Sequence, residues 1–238
     1  MIETGLILAA GEGSRLRGTA PYKPLCVIAG RALIDRAIDS MAAAGMTRVV
    51  VSLGYGAEAI RAHLASRDQP IAVDTVMTDH RQPNGVSALA AREAVGDDGA
   101  VMVMCDHLCE PRHYRRLATA GFGAGAGAGL TLGIDRRLGH RWVDPDDVTC
   151  VATEGDRIVA IGKGLEPHDC YDTGVFAVGP RFFAALATLA SPSLTEGVRI
   201  LAADGVARVV DCSDCDWIDV DDAAAFAHAE RWQAAATA

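Results

Sequence analysis

The feature that most constrains this chain is residues 6–25, where a short apolar run continues into a glycine-rich, basic loop. Residues 6–10 have the composition and length of a buried strand. The loop that follows holds three glycines and two arginines and ends in Lys23 followed by Pro24. Because glycine has no Cβ, the backbone N–H groups of such a loop can approach a phosphate closely. The stretch predicts a phosphate-binding loop after a strand, and a plain glycine turn is the alternative.

Two widespread phosphate-binding motifs do not describe this loop. It lacks G-x-x-x-x-G-K-[ST], so it is not a P-loop. Gly11 and Gly13 fit the start of G-x-G-x-x-G, but Leu16 stands where the third glycine belongs. The dinucleotide-binding interpretation is therefore disfavoured.

The charged residues narrow the choice of ligand. A net charge of −9 over 238 residues argues against a general nucleic-acid-binding protein, which needs a basic face. All but two of the 22 basic residues are arginine, and the exceptions are Lys23 and Lys163. We expect both lysines where a compact ammonium is needed rather than a planar guanidinium. We also expect Lys23 and Arg15 to be exposed, so that they act on phosphates and not on folding.

The cysteines indicate reduced thiols. Their number is seven, an odd count, and their spacing is scattered. Cys212 and Cys215 form a C-x-x-C, but no second pair stands at zinc spacing, so neither a metal nor a redox role is favoured there. No apolar run reaches the roughly 18 residues of a membrane span, and the N-terminus lacks a basic signal region. We therefore expect a cytoplasmic protein without membrane insertion.

Hydrophobic periodicity predicts an α/β fold. Strand-like and helix-like segments alternate through the first half, which indicates a mostly parallel sheet with helices on both faces. Residues 121–129 are low in complexity and predict a mobile connection. With no long linker, we expect a single domain over residues 1–238. The predicted strands are 6–10, 47–53, 71–76, 100–105, two within 148–165, 171–180 and 217–220, and the predicted helices are 31–44, 56–66, 86–95, one after Pro111, one from about 181, 194–203 and one from about 222.

Polar residues at the ends of these strands are candidate site residues. Asp106 and His107 follow a buried run, at the sheet edge where open α/β proteins bind ligands. A carboxylate there is unfavourable unless it is paired or metal-bound, and capping of the next helix is the alternative. Asp219 and Asp221 lie on the same face of a short strand, so the sequence does not separate them.

Several motifs in order resemble one family. Residues 8–16 and 23–25 match L-A-A-G-x-G-[ST]-R-[LM] and K-P-L, which is typical of the nucleotidyltransferases that make NDP-sugars and NDP-alcohols. N-G-V-S at 84–87, D-H at 106–107, R-I-V-x-I-G-K at 157–163, D-T-G-V-F at 172–176 and W-I-D-V-D at 217–221 resemble the cytidylyltransferases of small alcohol phosphates. Among these, the inositol-1-phosphate cytidylyltransferase domain is the most similar.

The resemblance implies a fold, a reaction and a cofactor. The fold would be a Rossmann-like three-layer sandwich of the nucleotide-diphospho-sugar transferase type. A substrate phosphate would attack the α-phosphorus of CTP and release pyrophosphate, with Mg²⁺ as cofactor. Inositol-1-phosphate would be the favoured acceptor. The alternatives are a uridylyl- or guanylyltransferase acting on a sugar-1-phosphate or molybdopterin, and a non-catalytic regulatory nucleotide-binding module.

The resemblance also implies residue roles. Arg15, Lys23 and Asp106 would be catalytic, and Mg²⁺ would bind Asp106 and Asp219, with Asp221 as the substitute ligand. His107, Lys163 and Asp172 would bind the acceptor. The nucleotide-binding set would be Leu8, Ala9, Ala10, Gly11, Gly13, Ser14, Arg15, Lys23, Gln82, Asn84, Gly85 and Ser87.

The resemblance has one implication for partners. In archaeal relatives the domain is fused to a membrane phosphotransferase, whereas this chain ends at Ala238. We therefore expect a separate membrane CDP-alcohol phosphotransferase to act downstream. Oligomeric state does not follow from the sequence.

Overall fold

The computed structural model describes residues 1–16, 20–123, 129–140 and 143–236. Residues 124–128, the centre of the connection predicted to be mobile, lie outside the described residues. The strands are β1 (Thr4–Ala9), β2 (Val27–Ile28), β3 (Arg31–Ala32), β4 (Arg48–Leu53), β5 (Ala72–Met77), β6 (Ala100–Met104), β7 (His107–Cys109), β8 (Leu130–Asp135), β9 (Thr149–Glu154), β10 (Arg157–Lys163), β11 (Cys170–Val178), β12 (Ala207–Asp211) and β13 (Trp217–Asp219). The helices are α1 (Leu33–Ala43), α2 (Ala57–Ala65), α3 (Asn84–Ala90), α4 (Arg92–Val95), α5 (Pro111–Ala120), α6 (Pro180–Ala187), α7 (Leu194–Ala203) and α8 (Ala223–Ala236).

The central sheet is mixed. Within the described residues its strand order is β5-β4-β1-β6-β11-β8-β12-β10-β9. β5, β4, β1 and β6 are parallel, as the alternation of strands and helices predicts. β11 is antiparallel to both β6 and β8, while β12 is parallel to β8. The predicted α/β fold is confirmed, and its parallel half is the N-terminal one.

Alternating side chains of β1 pack into two hydrophobic cores on opposite faces of the sheet. Ile7 and Ala9 belong to the core that includes residues of α1, α2 and α5. Leu6 and Leu8 belong to the core that includes residues of α3, α6 and α7. β1 is buried at every position, which is typical of a strand in a sheet covered on both faces. The structure is therefore a three-layer sandwich.

Local patterns did not predict the strands β2, β3, β7, β8 and β12. β8 and β12 are short and contain or follow glycine, which weakens a strand pattern. The predicted strand 100–105 corresponds to β6, and a second strand, β7, follows it because the chain leaves the main sheet at Asp106 and β7 pairs with β13. The segment predicted as one helix at 86–95 forms α3 and α4.

Two further findings concern the cysteine thiols and the length of the helices. All seven cysteines lie within the described residues, are buried and form no disulfide. Among the described helices, none is long and apolar enough to cross a membrane.

Candidate active site

The glycine-rich loop folds back onto Lys23. β1 ends at Ala9, and the loop passes through a 3-10 turn at Ser14–Leu16 before a second such turn begins at Lys23. Gly13 has a φ of +57°, a conformation that L side chains rarely adopt. A Cβ at Gly13 would lie 2.3 Å from the Cβ of Lys23. Gly13 is therefore required both for the turn and for the contact with Lys23.

The pairing of β7 with β13 brings the C-terminal part of the chain next to the glycine-rich loop. Asp219 is in register with His107, and the backbone N–H of Val220 donates to the carbonyl of Asp106 at 3.0 Å. The indole Nε1–H of Trp217 donates to the buried Asp135 at 2.9 Å. This short ribbon places Asp106, Asp219 and the following Asp221 beside the loop.

Lys23 is buried between carboxylates, so the expectation that it is exposed is wrong. Its side chain is 7% exposed, and Nζ lies 2.5 Å from Oδ2 of Asp106 and also contacts Asp221. Burial opposes its charge, but Asp106, Asp221 and Asp219 outweigh that penalty and raise the pKa of Lys23. The same ammonium and a hydrogen bond from His107 overcome burial and lower the pKa of Asp106. Both groups are ionised.

Asp106, His107 and Asp219 form a compact cluster whose ligand atoms lie within 4.8 Å of one another. Nδ1 of His107 lies 3.0 Å from Asp106 and 3.8 Å from Asp219. Burial opposes the imidazolium, but Asp219 and Asp106 outweigh it and raise the pKa of His107 to about 9. A protonated imidazole is a donor and not a metal ligand.

The same cluster fits a hard cation. Within the described part of the chain, Oδ1 of Asp219 is buried and has no hydrogen-bond partner. Burial, the largest cause, raises the pKa of Asp219, as expected for a carboxylate short of cationic partners. Mg²⁺ binds through one or two carboxylates and keeps several waters. Asp106 and Asp219 therefore fit Mg²⁺, and His107 is hydrogen-bonded to Asp106 beside them.

Two adjoining cavities meet at these charges. The first measures about 290 Å³ and the second about 390 Å³, and Arg15, Asn84, Met104 and Asp221 line both. Predicted nucleotide-binding residues that line the first cavity are Leu8, Ala10, Gly11, Gly13, Arg15, Lys23, Gln82, Asn84 and Ser87. The three predicted acceptor-binding residues, His107, Lys163 and Asp172, line the second. Asp106 lines the first cavity, and Asp219 lines the second.

Three residues predicted to bind the nucleotide lie elsewhere or are not fully described. Ala9 points into the hydrophobic core. Gly85 packs against the chain before α7, where an added Cβ would lie 2.5 Å from the carbonyl oxygen of Pro192. Ser14 begins a 3-10 turn, and its side chain lies outside the described part of the structure.

Asp172 projects into the second cavity from an irregular part of β11. The pairing of β11 with β8 shifts register between Asp172 and Phe176, and the backbone N–H of Gly174 donates to Asp172 at 2.7 Å. Gly174 has a φ of +76°, and an added Cβ would lie 2.1 Å from the ring of His107. Burial raises the pKa of Asp172 to about 6. A half-buried carboxylate with few donors is suited to accept hydrogen bonds from hydroxyl groups.

The sequence did not reveal every residue of the site. Asp147 pairs with Arg15 at 3.2 Å and also contacts Lys163, although it belongs to no motif. His80 and Met104 line the first cavity. Phe176 and Trp217 give the second cavity an apolar wall, but in the sequence they are indistinguishable from core residues. For Asp147 the only signal is three aspartates in four residues, which is common in surface turns.

The fold, the basic loop and the paired cavities define a nucleotidyltransferase-type α/β protein. The chain belongs to the MobA-like NTP transferase domain family, whose model matches residues 5–209.

Comparison with individual proteins supports this membership. The chain is 31% identical over 223 residues to the bifunctional IPC transferase and DIPP synthase of Rubrobacter xylanophilus, covering 90% of this chain and 48% of that protein. It thus spans about half the length of such relatives. The inositol-1-phosphate CTP transferase structure from T. maritima superposes with a TM-score of 0.83 at 21% identity, covering 94% of this chain and 91% of that one. A UDP-glucose pyrophosphorylase complexed with UDP-glucose gives a TM-score of 0.78 at 14% identity, covering 99% and 100%. Both structures share the fold.

Proposed function

We propose that this chain transfers a CMP group from CTP to the phosphate of a small polyol, with inositol-1-phosphate as the favoured acceptor, and releases pyrophosphate. The observation that carries the proposal is the junction of the two cavities, where buried Lys23 lies between Asp106 and Asp221. A nucleotide cavity and an acceptor cavity that share a charged junction suit a transfer between two phosphates. The similarity to an IPC transferase supports the choice of substrates.

The reaction joins two anions, so catalysis depends on positioning and on charge neutralisation. An oxygen of the acceptor phosphate forms a bond to the α-phosphorus. The bond from the α-phosphorus to the oxygen that bridges the α- and β-phosphates breaks. The electron pair of that bond leaves with pyrophosphate. The attacking phosphate is already ionised, so no general base is needed. Arg15 holds the β- and γ-phosphates, and Lys23 turns from the carboxylates to the α-phosphate and the attacking oxygen.

Magnesium belongs to the same proposal. When held by Asp106 and Asp219, Mg²⁺ would supply positive charge that lowers the repulsion between the reacting phosphates. The protonated His107 would hold Asp106 through a hydrogen bond, and it lies 3.8 Å from Asp219. Asp221, which contacts Lys23 and Arg15, instead holds the two cations before the phosphates bind.

Two segments would determine the choice of base. The first cavity is lined by the backbone after β1 and by Gln82, Asn84 and Ser87. Cytosine offers an amino donor where uracil offers a carbonyl acceptor. A backbone carbonyl paired with the cytosine amino group would be unpaired with uracil, and such a mismatch discriminates strongly. UTP with a sugar-1-phosphate is the second candidate, favoured by the fold shared with UDP-glucose pyrophosphorylase.

Lys163 and Asp172, which line the second cavity, support the choice of acceptor. Lys163 would anchor the phosphate, while Asp172 would accept hydrogen bonds from several hydroxyl groups. The product would be a CDP-alcohol, the type of substrate that a membrane CDP-alcohol phosphotransferase consumes downstream.

A pyrophosphate-release assay tests the proposal. Each of the four NTPs is combined with inositol-1-phosphate, phosphocholine or glucose-1-phosphate, with Mg²⁺ or with chelator. The expected result is the highest rate with CTP and inositol-1-phosphate, lost in chelator and restored by Mg²⁺. Preference for UTP with glucose-1-phosphate would overturn both substrate assignments, and activity with phosphocholine alone would overturn only the acceptor. No release with any pair would favour a non-catalytic module.

A further inference from the structure

The ionic groups of the site form a continuous series of alternating charge that runs from one cavity to the other. The series is Asp106, Lys23, Asp221, Arg15, Asp147 and Lys163. Asp147 is the last carboxylate of the series and the one that no motif predicts. It contacts one cation that lines both cavities, Arg15, and one that lines the acceptor cavity, Lys163.

The geometry places Asp147 between two cations that chain segments far apart supply. Oδ2 of Asp147 lies 3.2 Å from Nη1 of Arg15, and Oδ1 contacts Nζ of Lys163. Lys163 ends β10 and is in register with Thr149 on β9, two residues beyond Asp147. The carboxylate therefore lies where a single anion can neutralise both side chains.

Exposure makes these ion pairs replaceable, in contrast to the buried pair of Lys23. The side chains of Arg15 and Lys163 are 58% and 60% exposed, and that of Asp147 is 34% exposed. Ion pairs between exposed groups are weak, because water and salt screen them. A phosphate carries more charge and more acceptor oxygens than a carboxylate. It can therefore take over both contacts at small cost.

We propose that Asp147 holds Lys163 at the position that the acceptor's phosphate takes and Arg15 at the position that the nucleotide's terminal phosphates take, and that it sets the affinity for these phosphates by competing for the two cations. The inference rests on the proposed function for the identity of the substrates. What it asserts is that a carboxylate and a phosphate compete for the same two cations. Asp147 is thus a positioning residue that touches neither reacting atom.

The test measures equilibrium binding of inorganic phosphate by ³¹P NMR titration at low salt, so it does not depend on turnover. Asp147→Asn preserves the shape of the side chain and removes its charge. We expect its dissociation constant for phosphate to fall about three- to tenfold, the range expected for losing two weak ion pairs. Asp146→Asn is the matched control, since Asp146 is exposed on the same turn and lines neither cavity. The affinity of the Asp146→Asn variant for phosphate should equal that of the wild type.

A double variant locates the effect. In a Lys163→Met background, Asp147→Asn should improve phosphate affinity by less than about twofold, because the shared cation is missing. Unchanged or weaker phosphate binding by Asp147→Asn overturns the proposal. An equal gain in Asp146→Asn, or a full gain without Lys163, also overturns it, since the effect would then be general electrostatics. Failure of the proposed function appears separately, as absent or redirected pyrophosphate release with normal phosphate titrations.

Discussion

At the scale of single residues, the two lysines have opposite surroundings. Lys23 is buried against two carboxylates, whereas Lys163 is mostly exposed. Lys23→Met should lower turnover by orders of magnitude, and it should also destabilise the fold by about 3 kcal/mol, because it removes the ammonium that lies against the buried Asp106. Lys23→Arg should also be inactive, since a planar fork does not replace a compact ammonium.

Lys163→Met is the matched control for this prediction. It should weaken acceptor binding and leave the melting temperature nearly unchanged, because exposed ion pairs contribute little to stability. Thermal melting and steady-state kinetics check both variants. Equal melting temperatures for wild type and Lys23→Met would contradict the paired, buried position of Lys23.

A second residue-scale prediction concerns Asp172 and pH. Its pKa in the folded protein is about 6, above the ordinary value of 3.8. Between these values the folded state binds more protons than the unfolded state, so Asp172 reduces stability as pH rises from about 4 to about 6. At pH 7.5 the cost is at most about 3 kcal/mol.

The measurement is urea unfolding of wild type and Asp172→Asn at pH 4 and pH 7.5. The variant should be the more stable protein at pH 7.5, and the two should converge at pH 4. Asp98→Asn, at an exposed aspartate, should show no such pH-dependent difference. Acceptor affinity should also fall below about pH 6 in the wild type, since a protonated Asp172 accepts hydrogen bonds less well.

At the scale of elements, the conformation of the loop after β1 depends more on Gly13 than on Gly11. Gly13 has a positive φ and a Cβ position already filled by Lys23, whereas an added Cβ at Gly11 meets nothing within 4 Å. Gly13→Ala should lose about 2 kcal/mol or more of stability, because it adds backbone strain and moves Lys23. Gly11→Ala should melt like the wild type. Equal melting temperatures for the two variants would contradict this description of the loop.

At the scale of the whole molecule, ligands should stabilise the fold through the charged junction. The chain is acidic, with a net charge of −9, and its site cations are balanced by neighbouring carboxylates. Mg²⁺ and CTP together should raise the melting temperature, since ligand at 100 times its dissociation constant stabilises by about 2.7 kcal/mol. CTP in chelator should raise it much less, and Asp219→Asn should abolish the effect of Mg²⁺. A shift that is independent of the metal would argue against Asp219 as a ligand.

The sequence by itself determined the local features of this protein. The apolar run and glycine-rich loop at residues 6–25 specify a strand and a turn through neighbours in the chain, so pattern alone predicted them. The alternation of strands and helices likewise predicted a layered α/β fold. The family resemblance assigned both Lys163 and Asp172 to acceptor binding, and both line the second cavity.

Only the tertiary structure decided how these pieces meet. Lys23 and Asp221 are separated by 198 positions, and no local pattern encodes their contact. That contact depends on the pairing of β7 with β13, on a third core that includes Leu108 and Ile218, and on the turn at Gly13. Burial of Lys23 and the bridge from Asp147 to Arg15 and Lys163 follow from this packing. Because burial and long-range ion pairs are properties of the assembled chain, they became visible only when the structure brought the two halves of the site together.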